Sequence, residues 1–412
     1  MAEPLGPAGP HGVHQPRRPD DRRHALSPRL TPLRTVARHE IITGSPFMKP
    51  RVFVFQPIPQ VAIDTLLPVA DVTVYPHLDR MISMDEMIGA AQRHDYLLAL
   101  HENFVPAEVM RANPGLKGIG ILGNKTAMVD FDVALELKIP VVSIGRHGIP
   151  GGGPNKNTAD LTVALVLNLA YRVIEADRYT HAGKFRQNQT MALMGVGCSG
   201  NTVGMIGLGG MGEYMAPVFR ALDMRVVYNK RKRLAPEAEK KLDVEWVDSM
   251  DEVFRQADFL VVAVPLTHET ADLITARHFD LMKPTAFFIN TARGRIVVEQ
   301  DLIDALKQKK IAGAALDVYA TEPPERWEVE VPEELCRMDN VILIPHNGGA
   351  TWQTRGFMLN TLAEGIAALI RGERPASLLN PEVYGGPKKY PDLYGRGPAI
   401  PVTEGGPAIY LY

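Results

Sequence analysis

Thr202-Val-Gly-Met-Ile-Gly207-Leu-Gly209-Gly210-Met211-Gly212 decides the fold of this chain. It runs from an apolar strand into a glycine-rich turn and then into a helix. Glycine is needed where backbone must lie close to a bound pyrophosphate, and the helix start supplies free N–H donors and a positive dipole end. Loops produce such glycine patterns by chance. Here a strand precedes the turn, a helix follows it and a second strand comes at Arg225 to Tyr228, so the context is that of a dinucleotide site.

Short apolar runs recur outward from this point. Downstream come Phe259 to Val264, Ala286 to Asn290, Ile311 to Leu316 and Val341 to Ile344. They show little alternation, as strands covered on both faces do. Upstream, Lys49 to Phe55, Val72 to Tyr75, Tyr96 to Leu100 and Leu116 to Leu122 read as parallel strands, with Val105 to Asn113 helical. Strands alternating with helices predict an α/β chain with two doubly wound parallel-sheet, Rossmann-like domains and a cleft between them. The boundaries expected are a substrate and catalytic domain over 48–152, completed by 349–384, and a dinucleotide-binding domain over 153–348. After the breaker cluster around Pro150, Thr158 to His181 reads as one long helix suited to crossing between domains, and Thr351 to Arg371 as a helix returning to the first domain.

Residues 1–47 are rich in Pro, Arg and His, have no lysine and show no period, so they are expected to be a disordered leader. Met48 reads as the natural start, with the leader an artefact; a genuine disordered arm is the alternative. The tail 385–412 is rich in Gly and Pro. Its four tyrosines, Tyr390, Tyr394, Tyr410 and Tyr412, allow either a flexible tail or one that packs on a subunit surface or at the cleft mouth.

A length of 412 residues allows about two domains, and a net charge of −2 gives no reason to expect a nucleic-acid or membrane partner. The two cysteines, Cys198 and Cys336, cannot build a disulfide framework. No apolar run reaches the roughly 20 residues of a bilayer span, and the N-terminus lacks the apolar stretch of a secretory signal. A cytoplasmic protein without a metal site is expected.

Three motifs follow the glycine turn at successive strand ends. They are Asn290-Thr291-Ala292-Arg293-Gly-Arg, then Ala315-Leu-Asp317-Val-Tyr-Ala-Thr-Glu322-Pro, then Pro345-His346-Asn-Gly348-Gly-Ala-Thr351. Ligands of doubly wound sheets bind outside the carboxyl ends of the strands, so Arg293, Glu322 and His346 can meet in one cleft. Each also has an ordinary reading. His346 alone is more often structural, Glu322 before a proline ends a loop, Arg293 makes a surface ion pair and Asp317 caps a turn.

Taken together, and with Val264-Pro265-Leu-Thr267, these motifs resemble the D-isomer-specific 2-hydroxyacid dehydrogenase family over roughly residues 50–384. The resemblance implies hydride exchange between a nicotinamide dinucleotide and a small 2-oxo or 2-hydroxy acid. Histidine titrates near neutral pH and suits proton transfer to the carbonyl oxygen, a role that falls to His346. A carboxylate beside it, Glu322, favours the imidazolium. Arg293 would hold the substrate carboxylate and polarise the carbonyl with its guanidinium fork. Family formate dehydrogenases have glutamine at the position of Glu322, which disfavours formate oxidation. The resemblance also places Thr158, Val264, Pro265, Thr291, Ala292, Asp317 and Gly348 at the cofactor, with Asp317 near the nicotinamide amide. It implies a homodimer built on the cofactor domain through the 158–181 helix.

NAD-preferring sites put an acid about 20 residues past the first glycine. This chain reads Tyr228-Asn229-Lys230-Arg231-Lys232-Arg233 there. With no acid to repel a 2′-phosphate, Asn229, Lys230 and Arg231 point to NADP(H), with NAD(H) as the alternative. The family's substrate-carboxylate loop reads Gly123-Asn124-Lys125, with a lysine where glycine is common. Lys125 is either a solvent-facing residue or a cation for a second acidic group. The reading is an NADP(H)-preferring reductase of a small 2-oxo acid, of the glyoxylate or hydroxypyruvate reductase kind. The alternatives are oxidation of an unusual acidic substrate through Lys125, or a dinucleotide-sensing interaction protein resembling the family's corepressors.

Overall fold

Two all-parallel sheets carry the chain. The computed structural model describes residues 48–100, 103, 105–122, 128–144, 153–188, 191–322, 329–387, 399–400 and 409–410. The first sheet consists of β1 (Arg51–Val54), β2 (Asp71–Val74), β3 (Tyr96–Ala99), β4 (Gly118–Ile121) and β5 (Val141–Ser143), in the order β2-β1-β3-β4-β5. The second has β6 (Thr202–Ile206), β7 (Arg225–Asn229), β8 (Glu245–Trp246), β9 (Phe259–Val262), β10 (Phe287–Asn290), β11 (Gly313–Leu316) and β12 (Val341–Leu343), in the order β12-β11-β10-β9-β6-β7-β8. Each sheet reverses direction once, at β1/β3 and at β6/β9. Those switch points are where a parallel sheet opens a crevice at its carboxyl edge. The doubly wound α/β class is therefore the observed one.

Unalternating strands are the reason both faces must be covered. Every residue of β3, β4, β6 and β9 is buried. One face of the first sheet packs on the Trp352–Ile370 helix through Leu359, Leu362 and Ile366; the other carries Met87, Val109 and Met110. That helix begins right after the His346 segment, so the chain leaves the second sheet and comes back to the first. Beyond it, Val141 N–H donates to Asn380 Oδ1 at 2.7 Å, and Asn380 Nδ2 donates to the Ile139 carbonyl at 2.9 Å. The two bonds fasten residues 378–380 alongside β5.

The expected single helix over 158–181 is two helices, Gly153–Tyr171 and Val173–His181. Arg172 between them has φ of 52°, in the left-handed region. A tertiary contact makes the break. The Ala170 carbonyl, which a continuing helix would use, accepts instead from Val196 N–H at 2.9 Å. The Arg172 guanidinium then binds Glu175 and the Ala192 carbonyl, at 2.5 and 3.3 Å. Neither Gly nor Pro marks the spot, so nothing local announces it.

Several strands end earlier than their apolar runs. β9 stops at Val262, for example, because Ala263 and Val264 already belong to the loop closed by Pro265. In the tail, Ala399–Ile400 (β13) pairs antiparallel with Ile409–Tyr410 (β14), so this part is a strand pair rather than irregular chain. Tyr390, Tyr394 and Tyr412 lie outside the described residues. No helix among the described residues is long and apolar enough to cross a membrane.

Candidate active site

The glycine turn after β6 takes the form its sequence demands. Gly207 has φ of 89°, and a Cβ there would sit 2.6 Å from the Ala263 carbonyl oxygen, so only glycine fits between β6 and β9. Gly212 brings the Gly210–Ala221 helix down onto β6, where a Cβ would meet Leu208 and Met205 at 3.0 and 3.2 Å. Gly209 is different, since a Cβ there meets nothing within 4 Å. No side chain caps the helix at this residue. The uncapped helix start, facing open space with its first N–H groups, fits a pyrophosphate. Met211, on the first turn, packs partly into the core beneath.

The ends of β10, β11 and β12 are adjacent in the sheet, with neighbouring strands about 4.8 Å apart. Arg293, Glu322 and His346 therefore leave one edge of one sheet. His346 Nδ1 bonds Glu322 Oε2 at 2.7 Å. Glu322 is mostly covered (16 % side-chain exposure) while His346 is half exposed (48 %), so the acid backs the imidazole and the imidazole faces the opening. The second carboxylate oxygen of Glu322 accepts from Tyr319 N–H at 2.8 Å, which fixes the acid to its own turn. No described residue bonds His346 Nε2.

His346 itself has φ of 51°. A left-handed non-glycine residue costs roughly 1–2 kcal/mol, and strain of this kind persists only where surrounding bonds hold it. Asp317 supplies them. Its carbonyl accepts from His346 N–H at 3.0 Å, and its carboxylate accepts from Asn347 N–H at 2.5 Å and Gly348 N–H at 3.0 Å. Asp317 is fully buried. Burial pushes its carboxyl above the usual carboxylate range, and the two backbone N–H groups oppose that. The Asp317 carboxylate is thus turned toward the backbone of residues 347–348 and holds that loop in place.

Arg293 leaves β10 through a turn capped by Asn290. Asn290 Oδ1 accepts from Ala292 N–H at 3.0 Å and its Nδ2 donates to the Arg293 carbonyl at 2.9 Å. The Arg293 guanidinium donates through Nη1 to the Ala292 carbonyl at 2.6 Å. The rest of its fork has no partner among the described residues. Gly294 follows, packed so tightly that a Cβ would lie 2.0 Å from the Tyr319 carbonyl carbon. The arginine turn and the glutamate turn are therefore locked together by backbone.

Thr291 and Thr162 share a buried hydroxyl–hydroxyl bond of 2.7 Å, which ties the Gly153–Tyr171 helix to the end of β10. Thr158 Oγ1 donates to the Pro154 carbonyl at 2.8 Å. It lies 2.6 Å from where a Cβ of Gly348 would stand, so two expected cofactor residues from distant segments meet. Val264, which a Cβ at Gly207 would meet at 2.6 Å, and Pro265 begin a loop locked by Thr270, whose hydroxyl donates to the Pro265 carbonyl at 2.6 Å.

In the basic turn after β7, Asn229 Nδ2 donates to the Val247 carbonyl at 2.8 Å and holds the turn to its neighbour. Lys230 reaches back to the Leu208 carbonyl at 2.7 Å, within the glycine turn. Arg231 pairs with Glu269 at 2.5 Å. Gly123, Asn124 and Lys125 lie outside the described residues. Among the described residues no group of three or more His, Cys, Asp or Glu side chains is placed to hold a metal ion.

Sequence reading passed over three residues. Asn290 was legible as an Asx-type cap after a strand. Glu299 was not. Its carboxylate accepts from Ala320 N–H at 3.1 Å behind Glu322, and burial pushes it above the usual range. Glu269 stands 38 residues from the arginine it meets, which no local pattern encodes.

A Rossmann sheet with an open glycine cradle and an Arg, Glu and His set on adjacent strand ends defines a dinucleotide-dependent oxidoreductase. Comparison with known proteins agrees. Residues 163–348 match the model of the D-isomer specific 2-hydroxyacid dehydrogenase NAD binding domain. Over 340 residues the chain is 36 % identical to glyoxylate reductase from Thermococcus gammatolerans and 34 % identical to that from Thermococcus onnurineus, covering 82 % of this chain and 97 % of each relative. Among solved structures, the TT0316 protein from Thermus thermophilus superposes with a TM-score of 0.68 at 31 % identity, over 80 % of this chain and 99 % of that one. The chain belongs to the D-isomer specific 2-hydroxyacid dehydrogenase family and binds a nicotinamide dinucleotide in its second sheet.

Proposed function

We propose that this protein reduces a small 2-oxo acid of the glyoxylate or hydroxypyruvate class to the D-2-hydroxy acid, with NADPH preferred to NADH. The observation that carries the reading is the His346–Glu322 pair, with Nδ1 tied to a covered carboxylate and Nε2 without a partner among the described residues, at the end of a strand two places along the sheet from the one Arg293 follows. When bound, the dihydronicotinamide supplies the hydride for the carbonyl carbon. Arg293 receives the substrate carboxylate on its remaining N–H groups and draws charge toward the carbonyl oxygen. His346 gives the Nε2 proton to that oxygen, and Glu322 holds the ring in the tautomer and orientation the transfer needs. Gly123, Asn124 and Lys125 are assigned to the substrate's carboxylate side. The names of the glyoxylate reductase relatives support the substrate class.

The test is oxidation of NADPH and NADH against glyoxylate, hydroxypyruvate, pyruvate, phenylpyruvate and 2-oxo diacids. Rapid NADPH-dependent turnover of a short oxo acid is expected. Binding without turnover of any member would refute the reductase. Turnover confined to the diacids would move the substrate class toward one that uses Lys125.

Glu322→Gln tests the proton donor. The amide oxygen keeps the bond from Tyr319 N–H, but an NH2 group then faces His346 Nδ1. A protonated ring would present a donor to that donor, so protonation becomes harder. Reduction consumes the protonated form, so the alkaline limb of the turnover profile should move to lower pH. An unmoved limb would remove Glu322 from this role.

We also assign the dimer contact to the face where Tyr171, Val173, Met191, Met194 and Val196 stand 49–84 % exposed. These apolar side chains come together because the 191–196 segment folds back on the end of the Gly153–Tyr171 helix. Burying such a patch favours association with a second copy. Light scattering of the purified chain should give the mass of two, and a monomer would refute the assignment.

A further inference from the structure

The turn after β7 has four cations, and the structure gives three of them separate employment. Lys230 is drawn to the Leu208 carbonyl. Arg233 pairs with Glu239, which also accepts from Tyr228 OH at 2.6 Å. Arg231 reaches across to the loop after β9, where it meets Glu269. β7 and β9 flank β6 on opposite sides, so their following loops stand on either side of the glycine turn. The Arg231–Glu269 pair bridges that gap.

The two partners are held differently. Glu269 sits on a self-locked turn, where Thr267 N–H donates to Thr270 Oγ1 at 2.7 Å and Glu269 N–H to Thr267 Oγ1 at 3.3 Å. Arg231 is a long arm, its side chain 82 % exposed. An acid on a braced turn, its own side chain 67 % exposed, therefore holds a longer exposed cation at the rim of the dinucleotide cradle.

We infer that Glu269 is a specificity-determining residue for the dinucleotide, because it competes with the ribose 2′-phosphate for the Arg231 guanidinium. The inference rests on the reading that Arg231 neutralises that phosphate. An exposed ion pair shifts an equilibrium by about fivefold at most. A phosphate offers the guanidinium more charge and a bidentate acceptor, and so displaces the carboxylate. A ribose hydroxyl does not. NADPH thus opens the bridge and NADH leaves it closed, so Glu269 lowers the affinity for NADPH while sparing NADH. The acid that a sequence search seeks at the end of β7 is supplied here from the loop after β9.

The test uses the full chain and dissociation constants for NADPH, NADH, 2′,5′-ADP and 5′-AMP, measured by calorimetry or ligand fluorescence without turnover. Glu269→Gln should tighten NADPH and 2′,5′-ADP by about three- to fivefold and leave NADH and 5′-AMP within about twofold. Arg231→Ala should weaken NADPH and 2′,5′-ADP by at least about tenfold with little change for the other two. On the Arg231→Ala background, Glu269→Gln should then change nothing. Unaltered NADPH affinity in Glu269→Gln, with Arg231→Ala still selective, overturns this inference and leaves the phosphate assignment standing. Equal losses of NADPH and NADH in Arg231→Ala overturn the assignment and the inference with it.

Discussion

His346→Ala is expected to lower the rate of 2-oxo acid reduction by about a thousandfold while leaving NADPH binding within about twofold. The substrate oxygen must gain a proton as the hydride arrives, and positioned general acids contribute roughly 10²–10⁴ in rate. The ring keeps Nε2 without a partner among the described residues, while Nδ1 is bound to Glu322 at 2.7 Å. The glycine cradle after β6 belongs to other strand ends, so cofactor affinity should not follow the loss. The left-handed backbone of this residue raises a separate question about the alanine variant. Asn tolerates that conformation better than other residues apart from glycine, so His346→Asn serves as the second variant, with the strain kept low and the acid removed. Near-normal turnover in both would sink the assignment. A fall in NADPH affinity parallel to the rate would make the residue structural.

The second large effect is expected far from any titrating group. Gly294→Ala puts a Cβ 2.0 Å from the Tyr319 carbonyl carbon and 2.5 Å from Ala320 N. Both are backbone atoms and cannot swing aside as a side-chain end would. The turns after β10 and β11 must part, which separates Arg293 from Glu322 and, through Glu322, from His346. Overpacking of this kind costs about 3 kcal/mol, and a misplacement near 1 Å costs about a hundredfold in rate. A melting temperature lower by roughly 5–10 °C and a turnover loss near that size should appear together. A variant with wild-type melting and turnover would show that the two turns are not locked as described.

Legibility differed from residue to residue. The central strands β3, β4, β6 and β9 were readable because each is an unbroken apolar run buried on both faces, with no polar alternation to confuse the period, whereas β5 and the two-residue edge strand β8 went unread. Gly207 was readable because the bend after β6 admits no side chain. Arg293, Glu322 and His346 were readable as residue types at successive strand ends, where a doubly wound sheet gathers ligands. The break at Arg172 was hidden, because its cause is the Val196 N–H taking the Ala170 carbonyl. The inward turn of Asp317 was hidden for the same kind of reason, as its partners stand 30 and 31 residues further on.

By itself, then, the sequence determined the two wound sheets, the glycine cradle and the residue types, Arg293, Glu322 and His346, that stand at successive strand ends. Those follow from hydrophobic period, from the room a glycine leaves and from functional groups, all of them local properties. Tertiary structure alone decided which atoms face one another. It turned Glu322 onto Nδ1 and left Nε2 without a partner among the described residues, held His346 in a strained backbone through Asp317, and set Glu269 against Arg231 across the cradle. The physical reason is that hydrogen-bond partnership depends on distances of a few ångströms between residues tens of positions apart, and only the packed sheet fixes those distances.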